Sequence, residues 1–206
     1  MRESEAIARL RRIATHPGAL GLADDAALLE GLVLTHDTIA EGVHFLPFDP
    51  PASVGWKLVA VNLSDLAAKG AEPLAALLSL TLSADEGWDL DFIAGVEAAC
   101  ESYGLALVGG DTVALPPGAP RVLGMTAIGR SGEHVPLRSG GRAGDSLWLV
   151  GAVGDSAAGL ATSLPSRSSV PPTRNGTTGW GMTTTRPPAP ALRAPAPSRR
   201  SAAGRR

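Results

Sequence analysis

All 20 acidic residues of this 206-residue chain lie before position 162. Beyond that point come 45 residues with no Asp or Glu, 8 arginines and 8 of the 17 prolines. That break confines any packed fold to the first 161 residues. The later stretch offers only Leu164, Val170, Trp180, Met182 and Leu192 as sizeable apolar side chains. These cannot bury enough surface to offset the entropy of ordering the segment. Residues 162–206 therefore read as a disordered, low-complexity Pro/Arg-rich tail. The arginines are too scattered to suggest a nucleic-acid partner. The abrupt onset and the Pro/Arg/Ala/Ser/Thr/Gly vocabulary match a GC-rich gene read out of frame. A single cysteine, Cys100, excludes a disulfide framework and a Cys-rich zinc site. No apolar run reaches the roughly 18 to 20 residues of a membrane helix. Met1–Arg12 is charged and amphipathic, unlike a secretory signal. The expectation is a cytoplasmic protein with no membrane partner.

The first 161 residues alternate between strand-like and helix-like segments. Glu5–Ala14 is expected to form a short helix, and Gly31–Thr35 a buried strand ending in His36-Asp37-Thr38. Ser53 is placed to cap a helix that runs to about Ala68 and stops at Gly70. Leu74–Leu82 has the continuous apolar character of a core strand. Asp85 is placed to cap the next helix, where Ile93, Val96, Cys100 and Tyr103 are spaced as one buried stripe and Gly104 ends the run. Leu105–Val108 reads as a strand running into Gly109-Gly110-Asp111-Thr112; Arg121–Gly129 and Ser146–Val150 are further strands. The class is α/β or α+β, and the pattern leaves both open.

The aspartates carry the chemical signal. Asp24 and Asp25 are adjacent in a loop, Asp37 follows a strand, Asp65 lies inside an otherwise apolar helix, and Asp111 follows Gly-Gly at the end of another strand. From Asp25 the successive gaps are 12, 28 and 46 residues, so only the tertiary fold can bring them together. A carboxylate among Leu63, Leu66 and Ala67 is costly to bury alone, and several together repel unless cations separate them. Mg²⁺, a hard cation with oxygen ligands, meets that need and bridges to phosphate oxygens. The competing reading leaves each Asp a solvated loop or cap residue. Gly109-Gly110 can let backbone N–H groups approach a phosphate, although Gly-Gly before Asp is also an ordinary turn. There is no Gly-Lys-Ser/Thr phosphate loop, no GxGxxG fingerprint and no GxSxG elbow. Cys100 reads as helix packing. His44, between Val43 and Phe45, fits a structural role more readily than a catalytic one. Arg138 and Arg142 flank Gly140-Gly141, where they can be solvated or reach a phosphate.

Six stretches, taken jointly, resemble the N-terminal part of bacterial thiamine-monophosphate kinases, a family of the aminoimidazole ribonucleotide synthetase fold group. They are GLADDAAL (21–28), THDTIAEGVHF (35–45), VNLSDLAAKGAEP (61–73), VGGDT (108–112), RSGGRAGD (138–145) and GDSAAGL (154–160). The resemblance implies a mixed sheet with flanking helices and ATP-dependent phosphorylation of thiamine monophosphate to thiamine diphosphate. It implies in-line transfer with several Mg²⁺ ions held between aspartates and the ATP phosphates, no covalent enzyme intermediate, and a homodimer. Position by position, Asp25, Thr35, His36, Asp37, Asp65 and Asp111 fall on metal-ligand positions. Gly110, Asp111 and Arg138 fall on ATP contacts, and His44 on a substrate contact. The implied domains are 1–137 for Mg²⁺/ATP binding and dimerisation and 138–161 as the start of an incomplete second domain, followed by the 162–206 tail.

The chain also departs from the family. Ala23 stands where the family has Gly, which predicts a strained or shifted loop. Thr35-His36-Asp37 replaces Ser-Thr-Asp, so a carbonyl ligand would survive at His36 and a hydroxyl ligand would not. The second domain's Asp-Ser-Asp-Gly motif and acidic substrate motif do not occur in 162–206. The polypeptide is therefore expected to be a truncated or frameshifted kinase without activity. A non-catalytic dimeric nucleotide- and Mg²⁺-binding fragment is the alternative. Other ATP-using members of the fold group fit less well: selenophosphate synthetase needs a reactive Cys near its N-terminus, and the ribonucleotide synthetase has a shorter Val-Asn-Asp motif.

Overall fold

A computed structural model describes residues 1–148, 153–154 and 158–159. The tail reading for 162–206 lies outside the described residues, as do Leu149 and Val150 of the last expected strand. After helix α1 (Glu3–Leu10) and a 3-10 segment (Pro17–Leu22), the chain forms β1 (Ala26–Leu29), β2 (Leu32–Ala40), helix α2 (Pro51–Ala68), β3 (Glu72–Leu82), helix α3 (Glu86–Tyr103), β4 (Ala106–Ala114) and β5 (Val122–Arg130). The five strands make one mixed sheet in the order β1-β2-β5-β3-β4. β1 and β2 form a hairpin, β5 runs antiparallel to both β2 and β3, and β3 and β4 are parallel. A parallel pair needs a long crossover, which α3 provides.

Alternation along the strands shows which face is covered. On β2, Val33 and Ile39 are buried; on β5, Leu123, Met125 and Ala127 are fully so. Helix α2 lies on this face, against β2 and β5, and contributes Val54, Leu58, Val59, Leu63 and Leu66 to the core. Helix α3 packs mainly on α2. The opposite face, carrying His36, Thr38, Leu77, Ser79 and Asp111, has no helix over it among the described residues. Helices on one side of a largely antiparallel sheet make this an α+β arrangement.

Several expectations need correction. α1 begins at Glu3 rather than Glu5 and gives way to turns after Leu10. β1 had no strong periodic signal, because its four residues (Ala26, Ala27, Leu28, Leu29) are too few to show one. β2 continues through His36, Asp37 and Thr38, because β5 pairs with it as far as Ala40. Ser53 does not cap α2: the helix starts at Pro51, whose missing N–H costs nothing in the first turn. The α3 stripe is displaced. Trp88, Phe92, Val96 and Ala99 face the core, whereas Ile93 and Tyr103 are exposed. Gly109–Thr112 lies inside β4, not beyond it. Ser146–Trp148 forms no strand. Asp85 does cap α3 as expected, accepting from the Trp88 N–H at 3.1 Å, and Gly104 closes it in a left-handed conformation.

The two helices cross at a pair of glycines. A Cβ on Gly95 would stand 2.0 Å from the Ala52 carbonyl oxygen, and one on Gly55 2.2 Å from that of Phe92. Backbone meets backbone there, so no rotamer change can make room. Gly95→Ala is expected to destabilise the chain by at least about 1–3 kcal/mol, read as a lowered urea midpoint. A midpoint equal to that of the wild type would show that the helices can separate without cost.

Candidate functional site

Successive β-strand side chains point to opposite faces, and this alone divides the expected ligands. Thr35 and Asp37 fall on the α2 side of β2, and His36 on the open side. Thr35 is 2% exposed. Its hydroxyl reaches the Asn62 carbonyl and Oδ1 at 3.4 and 3.5 Å, so it is turned into the helix interface. His36 has Nδ1 2.8 Å from Thr126 Oγ1 and Nε2 3.3 Å from Thr38 Oγ1, which engages both ring nitrogens.

β1 begins at Ala26, opposite Thr35, and does not extend along β2 past that point. Beyond it, the Asp37 N–H donates to Asn62 Oδ1 at 3.1 Å. A fully buried side-chain amide thus stands where a strand would otherwise continue, and its own N–H donates to the Leu58 carbonyl at 3.0 Å. Asp65 follows Asn62 by one helical turn. Burial pushes its carboxyl above the usual range, and the charges of Asp37 and Asp25 push it further; Lys69 and Arg138 pull the other way. Asp25, Asp37 and Asp65 therefore come from a loop, a strand and a helix into one electrostatic neighbourhood. Beside them lies a pocket of about 310 Å³, lined in part by Asp24, Asp25, Thr35, His36 and Thr126.

Asp24 differs from its neighbour. It forms an ion pair with Lys69, the two side chains being 5% and 4% exposed. Burial works to raise its carboxyl, but hydrogen bonds from Lys69 and from the Arg138 and Asp25 N–H groups, with the Lys69 charge, hold it below the usual range. Arg138 places Nε 3.0 Å from Asp25 Oδ2. Arg142 closes a local turn, its N–H 2.8 Å from Asp145 Oδ2.

The remaining candidates stand elsewhere. Asp111 is on the open face, in the register row Thr38–Gly124–Ser79–Asp111. Three strand spacings, roughly 14 Å, separate it from Thr38. Gly110 has a structural reason to be glycine: a Cβ there would come within 1.9 Å of the Leu78 carbonyl oxygen. His44 lies in the exposed loop between β2 and α2; its Nδ1 accepts from the Ala40 N–H at 3.1 Å, and its carbonyl accepts from Lys57 Nζ. The expected strain at Ala23 does not occur, since its φ is −108°. Positive φ falls instead on Leu20, Gly21 and Leu22. A separate apolar groove between α3 and β4, about 380 Å³, holds none of these groups. It is lined in part by Cys100, whose thiol burial pushes up, in keeping with a packing role.

Sequence reasoning missed Asn62 and Lys69. Asn62 carries the same signal that marked Asp65, a polar residue in an apolar helix. Lys69, just before Gly70, resembles an ordinary solvated lysine at a helix end.

Among the described residues, no group of three or more His, Cys, Asp or Glu side chains is arranged to hold a metal ion by itself. The candidate donors are carboxylate oxygens, one of them, Asp25, beside an open pocket. That suits Mg²⁺, which keeps waters and takes one or two carboxylates beside phosphate oxygens, better than an ion needing an all-protein shell.

A mixed sheet with an acidic loop, strand and helix converging beside it defines a class of domain. Residues 23–131 match the family model "AIR synthase related protein, N-terminal domain". The chain belongs to that family. Within it, the chain is similar to thiamine-monophosphate kinases. It is 42% identical to the Escherichia coli K12 protein over 148 residues, which is 69% of this chain and 45% of that one. It is 39% identical to the Aquifex aeolicus protein over 145 residues, 68% of this chain and 46% of that one. The solved structure "AaThiL complexed with AMPPCP and TMP" superposes with a TM-score of 0.68 at 35% identity, covering 79% of this chain and 54% of the other. The motif-level resemblance is thus borne out. The chain spans about half the length of the curated relatives it matches. No helix among the described residues is long and apolar enough to cross a membrane.

The raised Asp65 carboxyl sets the sign of a pH effect. It contributes stability that is present below the ordinary carboxylate range and lost as pH rises through the raised value. In chelator-treated buffer, Asp65→Asn is expected to raise the Tm at neutral pH and to lose that advantage in acid. A neutral-pH Tm at or below that of the wild type would show that Asp65 feels no repulsion.

Proposed function

We propose that this chain supplies the metal- and nucleotide-binding part of an ATP-dependent kinase that converts thiamine monophosphate to thiamine diphosphate. The observation that carries the proposal is the pocket lined in part by Asp25, Thr35 and His36, with the charges of Asp25 and Asp37 bearing on Asp65 beside it. It is supported by relatives named thiamine-monophosphate kinase and by a structural counterpart complexed with AMPPCP and TMP.

In this reading Asp25, Asp37 and Asp65 hold Mg²⁺ together with Thr35 and His36, and Asp111, across the sheet, holds a separate one of several ions. Because the Thr35 hydroxyl is engaged by Asn62, Thr35 serves through its backbone. Bound Mg²⁺ neutralises phosphate charge. Arg138 and the Gly110–Asp111 segment face the nucleotide, and His44 faces the thiamine substrate. With its Nδ1 accepting from Ala40, a neutral His44 ring presents Nε2–H as a donor. The protein contributes positioning and charge, which is what in-line phosphoryl transfer requires. The uncovered sheet face, with Leu77 and Val113 exposed, is the surface for a second copy of the chain. A cytoplasmic setting accords with ATP as the phosphoryl donor.

A second reading is a nucleotide- and Mg²⁺-binding module without turnover. One experiment addresses both. Calorimetry of the purified chain with AMPPCP is expected to show saturable binding in Mg²⁺, abolished by EDTA and weakened roughly tenfold or more by Asp37→Asn. In parallel, thiamine diphosphate formed from ATP and thiamine monophosphate is expected to stay at background. Product above background would exclude the module reading. Absent or metal-independent AMPPCP binding would overturn the metal-site proposal.

A further inference from the structure

Lys69 is the one buried ammonium in the acidic neighbourhood, and it fastens two loops at once. Its Nζ pairs with Asp24 and donates to the Pro136 carbonyl at 3.1 Å. Asp24 in turn accepts the Asp25 N–H on Oδ1 at 2.8 Å and the Arg138 N–H on Oδ2 at 3.0 Å. The two loops joined in this way are those that present Asp25 and Arg138.

The direct pair between those two side chains cannot hold the loops in register. Its partners are 65% and 44% exposed, and exposed pairs contribute little. A buried ion pair is also a weak source of net stability, since apolar replacements are often neutral or better. What such a pair does supply is geometry. With Lys69 and two backbone N–H groups occupying Asp24, that carboxylate is not free to ligate a cation, whereas the Asp25 side chain is 44% exposed.

We infer that Lys69 is a positioning residue for cation binding: through Asp24 and the Pro136 carbonyl it sets where Asp25 and Arg138 stand. The inference rests on the proposal that Asp25 is a metal ligand, and it adds a division of labour between two adjacent aspartates. Asp24 builds the loop, and Asp25 meets the ion.

The test uses the full chain, Mn²⁺ as a paramagnetic probe, and two variants. Lys69→Met leaves Asp24 buried and unpaired, so it is expected to lower the Tm. It is also expected to remove hydrogen-exchange protection from the Asp25 and Arg138 amides in metal-free protein, and to weaken Mn²⁺ binding, followed by EPR, roughly tenfold or more. The double variant Asp24→Asn/Lys69→Met removes the stranded charge and is expected to recover most of the Tm but not the Mn²⁺ affinity. Wild-type Mn²⁺ affinity in the double variant would overturn the inference, making Lys69 a purely structural residue. Unchanged amide protection in Lys69→Met would overturn it as well. A wild-type chain that binds no Mn²⁺, yet keeps its Asp25 and Arg138 amides protected, would overturn the underlying metal-site proposal and with it any role of Lys69 toward a cation.

Discussion

A side-chain amide taking over the duty of a β-strand is the interaction on which the acidic site depends. Where β1 no longer flanks it, the backbone of β2 would expose an unpaired N–H at Asp37, in a region that α2 covers. Asn62 satisfies it and holds the Thr35 hydroxyl as well. A buried unsatisfied donor costs about 1–3 kcal/mol, so helix and strand are fixed to each other at this one place. Asp65 sits one turn further along the same helix and Lys69 one turn beyond that. The helix is therefore a ruler, marked at intervals of three and four residues, against which strand, loop and carboxylates are aligned.

The same helix is pressed close to its neighbour. Gly55 and Gly95 let α2 and α3 approach until backbone touches backbone. Towards the start of α3, Trp88 stacks with both Phe45 and Phe92 while the Arg121 guanidinium lies 4.0 Å over its ring and pairs with Glu41. That cluster joins the end of β2, the start of α3 and the residue before β5. Apolar packing at one end and buried polar contacts at the other leave α2 little room to slide over the sheet. Three carboxylates that repel one another need that kind of fixed support.

Much of this was legible in the sequence, and the failures have physical causes. Long apolar runs and caps located α2, β3 and α3, and Asp85 and Gly104 marked the two ends of α3. The α3 stripe was misplaced because Ile93, Cys100 and Tyr103 are as apolar as the residues that are buried; only packing on α2 decides which set turns inward. β2 was read short because His36-Asp37-Thr38 is polar, and polarity there reflects the open face and a satisfied N–H rather than a strand end. Gly109-Gly110 reads as the point where a strand runs out because glycine is rare inside strands, whereas here β3 comes too close to Gly110 for any side chain. The cost of burying carboxylates singly points to a grouping of Asp25, Asp37 and Asp65, and the charges of Asp25 and Asp37 do bear on Asp65. The same reasoning grouped Asp111 with them, and strand order places it across the sheet. The separate partners of Asp24 and Asp25 could not be read from two identical neighbours.

The strand order also says when this domain can form during synthesis. β5 is the last of these five strands to be made, yet it occupies the middle of the sheet, paired on both edges and carrying Leu123, Met125 and Ala127 at the centre of the core. Until the ribosome has released residues as far as Arg130, β2 and β3 each wait with an unpaired edge and an apolar face. The β1–β2 hairpin and the β3–α3–β4 unit can assemble locally, but joining them depends on a strand about 90 residues downstream of β2, the kind of non-local pairing that slows folding. The nascent chain is thus committed late and all at once, and its open edges during that wait are surfaces for chaperones to guard.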